Sequence, residues 1–148
     1  SGVVVNNKNF KVENTDADAD DPKSVLGVLH NPHSFVVKGS SSATGFNIGL
    51  AKKGDKMEKP VVFRGGAEKD GFYRLQCDQH EFMQSFFLPV SNKHFAVVKE
   101  DGSFELKDVP AGKHQVVAWH PFAAKGKKVM FEVEVAEGGT ANLKAEIK

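Results

Sequence analysis

Cys77-Asp78-Gln79-His80-Glu81-Phe82-Met83 places a thiol, an imidazole and a thioether at i, i+3 and i+6. A thiolate is a soft donor, an imidazole is intermediate, and a thioether is soft and weak. With one further imidazole they make the two-histidine, one-cysteine trigonal set with a distant axial methionine that suits electron-transfer copper. His30 or His33, in Leu29-His30-Asn31-Pro32-His33-Ser34-Phe35, offers that imidazole. The spacing predicts a strand ending at Cys77 and a loop that wraps three side chains around one ion. The next strand is expected to begin near Phe86.

Other chemistries fit these residues less well. Cys77 is the only cysteine, so no intramolecular disulfide can form. Alone, such a thiol would be a small buried hydrophobe, and Met83 alone would be core packing. Cys-Asp-Gln-His lacks the second cysteine of a c-type haem attachment site. A zinc site would use more thiolates or histidines and no methionine. A cysteine nucleophile with His80 as base finds no orienting residue and no oxyanion hole in the sequence, so no enzyme is expected. Asp16, Asp18, Asp20 and Asp21 are spaced like calcium ligands. The glycine and distal glutamate of a calcium loop are missing, and a solvated loop is expected. His33 reads as a satisfied or exposed histidine, His120 as structural, and His94 and His114 as surface residues. Phe82, Phe86 and Phe87 read as core, or as an apolar docking patch beside His80.

The elements that must position these donors read as short strands. The chain has 148 residues, 26% charged and 40% hydrophobic, with a formal net charge of +1. That balance suits a soluble globular fold, and no global field points to nucleic acid. No apolar run is long enough to span a membrane. The start at Ser1-Gly2-Val3 has neither a charged nor an apolar leader region, so no signal peptide is expected in the chain. Strands are expected at residues 3–5, 10–13, 46–50, 61–63 and 71–77, and in the apolar run that closes 29–37. Residues 14–21 read as an acidic loop, 39–45 (GSSSATG) as a flexible turn and 54–60 as a charged connection. Further on, Phe104 and Leu106 alternate with charged residues, and Val117 and Trp119 mark another strand. Residues 129–135 and 141–147 alternate as a terminal hairpin with one wet face. Many short strands with turns between them predict an all-β sandwich or barrel. Composition shifts near residue 90, which predicts a unit over 1–90 and a smaller β module over 91–148 packed against it.

Cys-x-x-His-x-x-Met, preceded at a distance by His-Asn-x-His-x-Phe, resembles the cupredoxins, with the loop spacing of the short-loop amicyanin type. The resemblance covers roughly residues 28–90. It implies a Greek-key β-sandwich with one copper ion held by His30, Cys77, His80 and Met83. In that family the ligand histidine precedes an asparagine. His30 therefore matches the ligand, Asn31 a residue tying the two loops together, and His33 a histidine that does not bind. The resemblance further implies blue-copper-type electron transfer between Cu(I) and Cu(II), with His80 as the electron exit. It implies a cytochrome or redox-enzyme partner and a periplasmic or secreted location. The stretch from Phe95 through Asp101-Gly102-Ser103-Phe104 to Pro110-Ala111-Gly112 is similar to transthyretin-like domains found beside carboxypeptidases. Together the two parts resemble bacterial plastocyanin-like, methylamine-utilisation-type proteins. Two alternatives use the same residues: a copper-carrying or copper-storing protein, and a non-catalytic β-sandwich binding module of a larger assembly.

Overall fold

Apolar residues at every second position drive this chain into strands rather than helices. The computed structural model describes residues 1–17, 20–21, 23, 27–63 and 71–148. Asp18 and the Arg64-Gly65-Gly66 stretch, expected to close a strand, lie outside them. The chain divides into two units, Gly2–Ser91 and Asn92–Lys148. Among the described residues the fold is all-β, and no helix is long and apolar enough to cross a membrane.

In the first unit the strands are β1 (Gly2–Val5), β2 (Asn9–Glu13), β3 (Pro32–Lys38), β4 (Ser41–Asn47), β5 (Lys56–Pro60), β6 (Gly71–Cys77) and β7 (His80–Val90). Five of them form one sheet in the order β1-β7-β6-β3-β4, and β2 and β5 form a separate antiparallel pair. β1 runs parallel to β7, while β7, β6, β3 and β4 are successively antiparallel. Both sheets contribute to one core. Val4, Phe46 and Tyr73 come from the large sheet and Met57 from the small one, with Leu50, Val61 and Phe63 from the connections. Each such side chain contributes about 1.5–3 kcal/mol when taken fully out of water. The arrangement is sandwich-like.

Three segments depart from expectation. Residues 39–45 turn only at Gly39-Ser40, where Gly39 takes φ +56, and then continue as β4. Their small polar residues read as a loop, but β3 supplies the hydrogen-bond partner. A bulge between Ser34 and Phe35 leaves Gly45 unpaired. Ser34 is fully buried there, and its Oγ accepts from the Phe46 N–H at 2.8 Å. The expected charged connection forms β5, because Met57 is buried and opposite charges pair across the ribbon. Lys56 meets Glu13 at 3.2 Å and Lys11 meets Glu58 at 3.4 Å. Val61 and Phe63 are buried as expected of a strand, yet residues 61–63 join no ladder. Hydrogen bonds to the β1–β2 turn hold Val61 instead, from Asn7 N–H to its carbonyl (2.8 Å) and from its N–H to Lys8 O (2.9 Å).

In the second unit β8 (Gly112–Ala118) pairs antiparallel with β9 (Val129–Val135). Their connection contains a 3₁₀ turn, Ala124–Gly126, whose Gly126 carbonyl accepts from the Trp119 indole N–H at 3.0 Å. β9 was expected to pair with residues 141–147. That segment alternates in exposure but joins no named strand. β9 pairs with β8 instead, setting Val116 opposite Phe131 and His114 opposite Val133 in one half-buried row.

Candidate metal centre

Two pairings bring the expected donors together. β3 against β6 sets Pro32 opposite Cys77. His30 lies two residues upstream, fixed by a two-way backbone bridge to Leu50: His30 N–H to Leu50 O at 3.0 Å, and Leu50 N–H to His30 O at 2.7 Å. On the other side, Cys77 pairs with His80 across the two-residue Asp78-Gln79 turn. The expected long ligand loop is therefore a tight hairpin, with β7 starting at His80 and not near Phe86. The loop survives in another form. The register passes from Gln76↔Gln84 directly to Cys77↔His80, so Glu81, Phe82 and Met83 bulge out of the ladder. A bulge re-aims side chains next to a site.

The donor atoms of His30, Cys77 and His80 all lie within 4.8 Å of one another. The Cys77 Sγ is 3.7 Å from His30 Nδ1 and 3.4 Å from His80 Nδ1. The two imidazole centroids are 4.8 Å apart. Cys77 and His30 are buried, at 7% and 9% exposure, and His80 is half-buried. The Asn31 N–H donates to Sγ at 3.3 Å, and the Asp78 N–H donates to the Asn31 carbonyl at 3.0 Å. Asn31 does tie the two segments together, through its backbone. Its side-chain Oδ1 is buried and has no hydrogen-bond partner among the described residues.

The charges around the sulfur are strongly biased. Burial pushes the Cys77 thiol up, but hydrogen bonds from Asn31, His30, His80 and Gln79 outweigh it and bring its pKa from 9.0 down to about 6. Burial pushes His30 down, yet hydrogen bonds to Cys77 and Asp16, and their charges, hold it above its ordinary 6.5. The thiolate is thus the natural state of Cys77 near neutral pH, and the thiolate is the form that binds metals and attacks electrophiles.

Met83 is 39% exposed and lines a cleft of about 310 Å3 with Cys77, His30 and Asp16. Phe82, 85% exposed, has its ring 5.9 Å from that of His80. Phe87 packs on the core, while Phe86 is half-buried against Phe72 at 6.0 Å. His33 is occupied elsewhere. Its Nδ1 meets Asp78 Oδ2 at 2.9 Å, its Nε2 meets Thr44 Oγ1 at 3.1 Å, and its ring stacks on Phe35 at 4.0 Å. Asp78 is held below the usual carboxylate range first by a hydrogen bond from Gln76, then by His33 and Asn47. His120 belongs to the second unit, where its Nδ1 accepts from the Phe122 N–H at 3.3 Å.

Asp16 joins the site without any signal in the sequence that singles it out. Its Oδ2 lies 2.7 Å from His30 Nε2, so the acidic stretch is not simply a solvated loop, and an orienting carboxylate is present. Asn14 presents it. Buried at 3% exposure, Asn14 donates from Nδ2 to Val28 O (2.6 Å) and Leu50 O (3.0 Å), and its Oδ1 accepts from the Asp16 N–H (3.1 Å). That last contact is the Asx turn available to Asn14-Thr15-Asp16 in sequence. Nothing in the sequence links the turn to His30.

No family model, no curated protein and no solved structure matches the chain. Fit to a metal therefore rests on the residues themselves. Bonds of about 2.3 Å to sulfur and about 2.0 Å to nitrogen set the two donors roughly 3.5–3.7 Å apart around one ion. The observed 3.7 Å to His30 falls in that span, and the 3.4 Å to His80 lies just short of it. His30 Nε2 is engaged by Asp16, which leaves Nδ1 on the sulfur side. Both sulfur–nitrogen spans thus suit a shared ion, and the three donor atoms lie within 4.8 Å of one another.

Proposed function

We propose that the Gly2–Ser91 unit holds one copper ion through His30, Cys77 and His80, with Met83 as a weak fourth donor, and passes single electrons. The observation that carries this reading is the convergence of one thiol and two imidazole nitrogens within 4.8 Å. A lone thiolate between two imidazoles, with a thioether lining the same cleft, is the donor mixture that favours copper over zinc or a hard cation. When bound, copper supplies a one-electron couple at a potential its ligands set. The chain's own contribution is to hold the donors in one arrangement. The Asn31 amide keeps a hydrogen bond on Sγ, the hairpin turn fixes the Cys77–His80 spacing, and the Leu50 bridge fixes the His30 backbone. Phe82 beside half-buried His80 offers an apolar point of approach for a redox protein. In this reading the first unit is a cupredoxin-like Greek-key sandwich, the second a transthyretin-like module, and the protein works outside the cytoplasm.

A second reading has one observation in its favour. Asp16, His30 and Cys77 line up as carboxylate, imidazole and thiol, the order of a nucleophilic triad. Against it, a second imidazole sits as close to the sulfur, and the Asn31 amide is spent on Sγ rather than on a reacting oxygen.

One absorption titration separates the readings. One equivalent of Cu(II) should give an intense visible thiolate-to-copper band that ascorbate bleaches and reoxidation restores. Cys77→Ser should lose the band. Met83→Leu should keep it and raise the potential, since a donor favouring Cu(II) is gone. A colourless complex, or no uptake, would overturn the proposal.

A further inference from the structure

We infer that Asp16 is the positioning residue of the proposed copper site: its carboxylate accepts from His30 Nε2–H, turns Nδ1 toward Cys77, and lends the imidazole negative charge that favours the more highly charged metal state. The inference rests on the copper reading and adds a residue from an element that contributes no donor. Its geometry is short and specific, at 2.7 Å between Asp16 Oδ2 and His30 Nε2. An imidazole has two nitrogens, and a partner on one decides which faces the ligand. A carboxylate in that place also raises ligand basicity.

The chain is built to keep Asp16 there. Leu50 O accepts from both the His30 N–H and Asn14 Nδ2, so the residue that fixes the His30 backbone also anchors the turn that carries Asp16. The Asn14 backbone is held too, its N–H donating to Asp55 O (2.9 Å) and its carbonyl accepting from the Gly54 N–H (2.7 Å). Gly27 closes the arrangement from the other side. It takes φ +56, and a Cβ there would come within 2.8 Å of the Asp16 carbonyl and 2.6 Å of the Lys53 nitrogen. Only glycine lets that strand of backbone approach so closely. Asp16 itself is half exposed, its side chain 54% accessible, so its charge acts partly through solvent and is open to screening by salt.

Two substitutions separate orientation from charge. Asp16→Asn keeps an oxygen acceptor for Nε2–H and removes the charge, whereas Asp16→Ala removes both. Three quantities are read: the downfield imidazole N–H resonance of His30 in the metal-free protein, the Cu(II) affinity by chelator competition, and the midpoint potential at low and high salt. In the wild type the resonance should be present; it should persist in Asp16→Asn and vanish in Asp16→Ala. Cu(II) affinity should fall about 10–100-fold in Asp16→Ala, the usual cost of losing such a partner. Asp16→Asn should weaken Cu(II) more than Cu(I). A tenfold difference would raise the potential by about 59 mV, and high salt should shrink the gap to wild type. A wild-type protein that takes up no copper would defeat the copper reading, while the N–H resonance would still decide whether Asp16 holds His30. Absence of that resonance in the wild type, or potentials and affinities unchanged in both variants, would overturn the inference even if copper binds.

Discussion

Replacing Asn14 by alanine removes a buried side chain that touches no proposed ligand directly. Three hydrogen bonds are lost, two from Nδ2 to the Val28 and Leu50 carbonyls and one to Oδ1 from the Asp16 N–H. A typical intramolecular hydrogen bond contributes about 1 kcal/mol net, and more where the abandoned partner stays buried. Leu50 O keeps its bond from the His30 N–H, so its loss is mild. Val28 O, at 2.6 Å, suffers most. The sum is about 2–3 kcal/mol, a sizeable part of the 5–15 kcal/mol by which domains are stable. Urea unfolding of the metal-free protein, followed by far-ultraviolet circular dichroism, should show a midpoint lowered by about 1–1.5 M at unchanged slope. Fluorescence of the single Trp119, which belongs to the other unit, serves as a separate probe. Asn14→Asp should do no better than alanine, because it keeps the acceptor but turns a carboxylate toward two carbonyls. If Asn14→Ala stays within about 0.5 kcal/mol of wild type, the hub described around Leu50 is not a hub.

Gly45→Ala should destabilise by about 1–3 kcal/mol in a thermal melt, because its Cβ would sit 2.7 Å from the buried Ser34 Oγ; Gly49→Ala, with nothing within 4 Å, should be close to neutral. His30→Ala should abolish the copper chromophore while His33→Ala leaves it largely intact, since both His33 nitrogens already face Asp78 and Thr44. The reverse result would exchange the two histidines. In the metal-free protein, thiolate absorbance should titrate near pH 6 rather than 9.0. Because the folded pKa is the lower one, the Cys77 contribution to stability is absent below about pH 6, grows as pH rises and is complete above 9.0. His30 acts oppositely, its contribution full below 6.5 and lost as pH rises through its raised value. A thiolate midpoint near 9 would refute the electrostatics drawn around the sulfur.

Much of the frame was legible because its signals are local. The alternation of Gly71–Cys77 and the turn between β1 and β2 both declare themselves within a few residues. The Cys77-x-x-His80 spacing marked the two donors locally as well, although the hairpin that joins them stood where a longer loop was expected. What escaped depends on partners distant in sequence. β4 is a run of small polar residues that becomes a strand only because β3 lies beside it. β5 has a single buried residue, Met57, and otherwise faces solvent with Lys56 paired to Glu13 across the ribbon. Asp16 could not be told from its acidic neighbours, since its distinction is a contact with a histidine fourteen residues on, made through a buried asparagine.

The parallel pairing of Gly2–Val5 with β7 sets an order of events for this chain. Val5 lies opposite Val90, and Gly2 opposite Phe87. At about 5–20 residues per second a ribosome delivers β7 on the order of ten seconds after β1. Throughout that interval Val3, Val4 and Val5 are an apolar strand without a ladder. Long-range parallel contacts are also slow to form, because the loop entropy must be met before they return anything. β1 is therefore expected to dock late, and pulse-labelled hydrogen exchange should find its amides protected later than those of the β6–β7 hairpin. Until it docks, β7 is an edge strand with an open row of backbone groups, a template for a second chain. Docking of β1 thus covers the Phe87–Val90 stretch of that edge with a four-residue strand, and leaves a shorter template than the bare β7 offers.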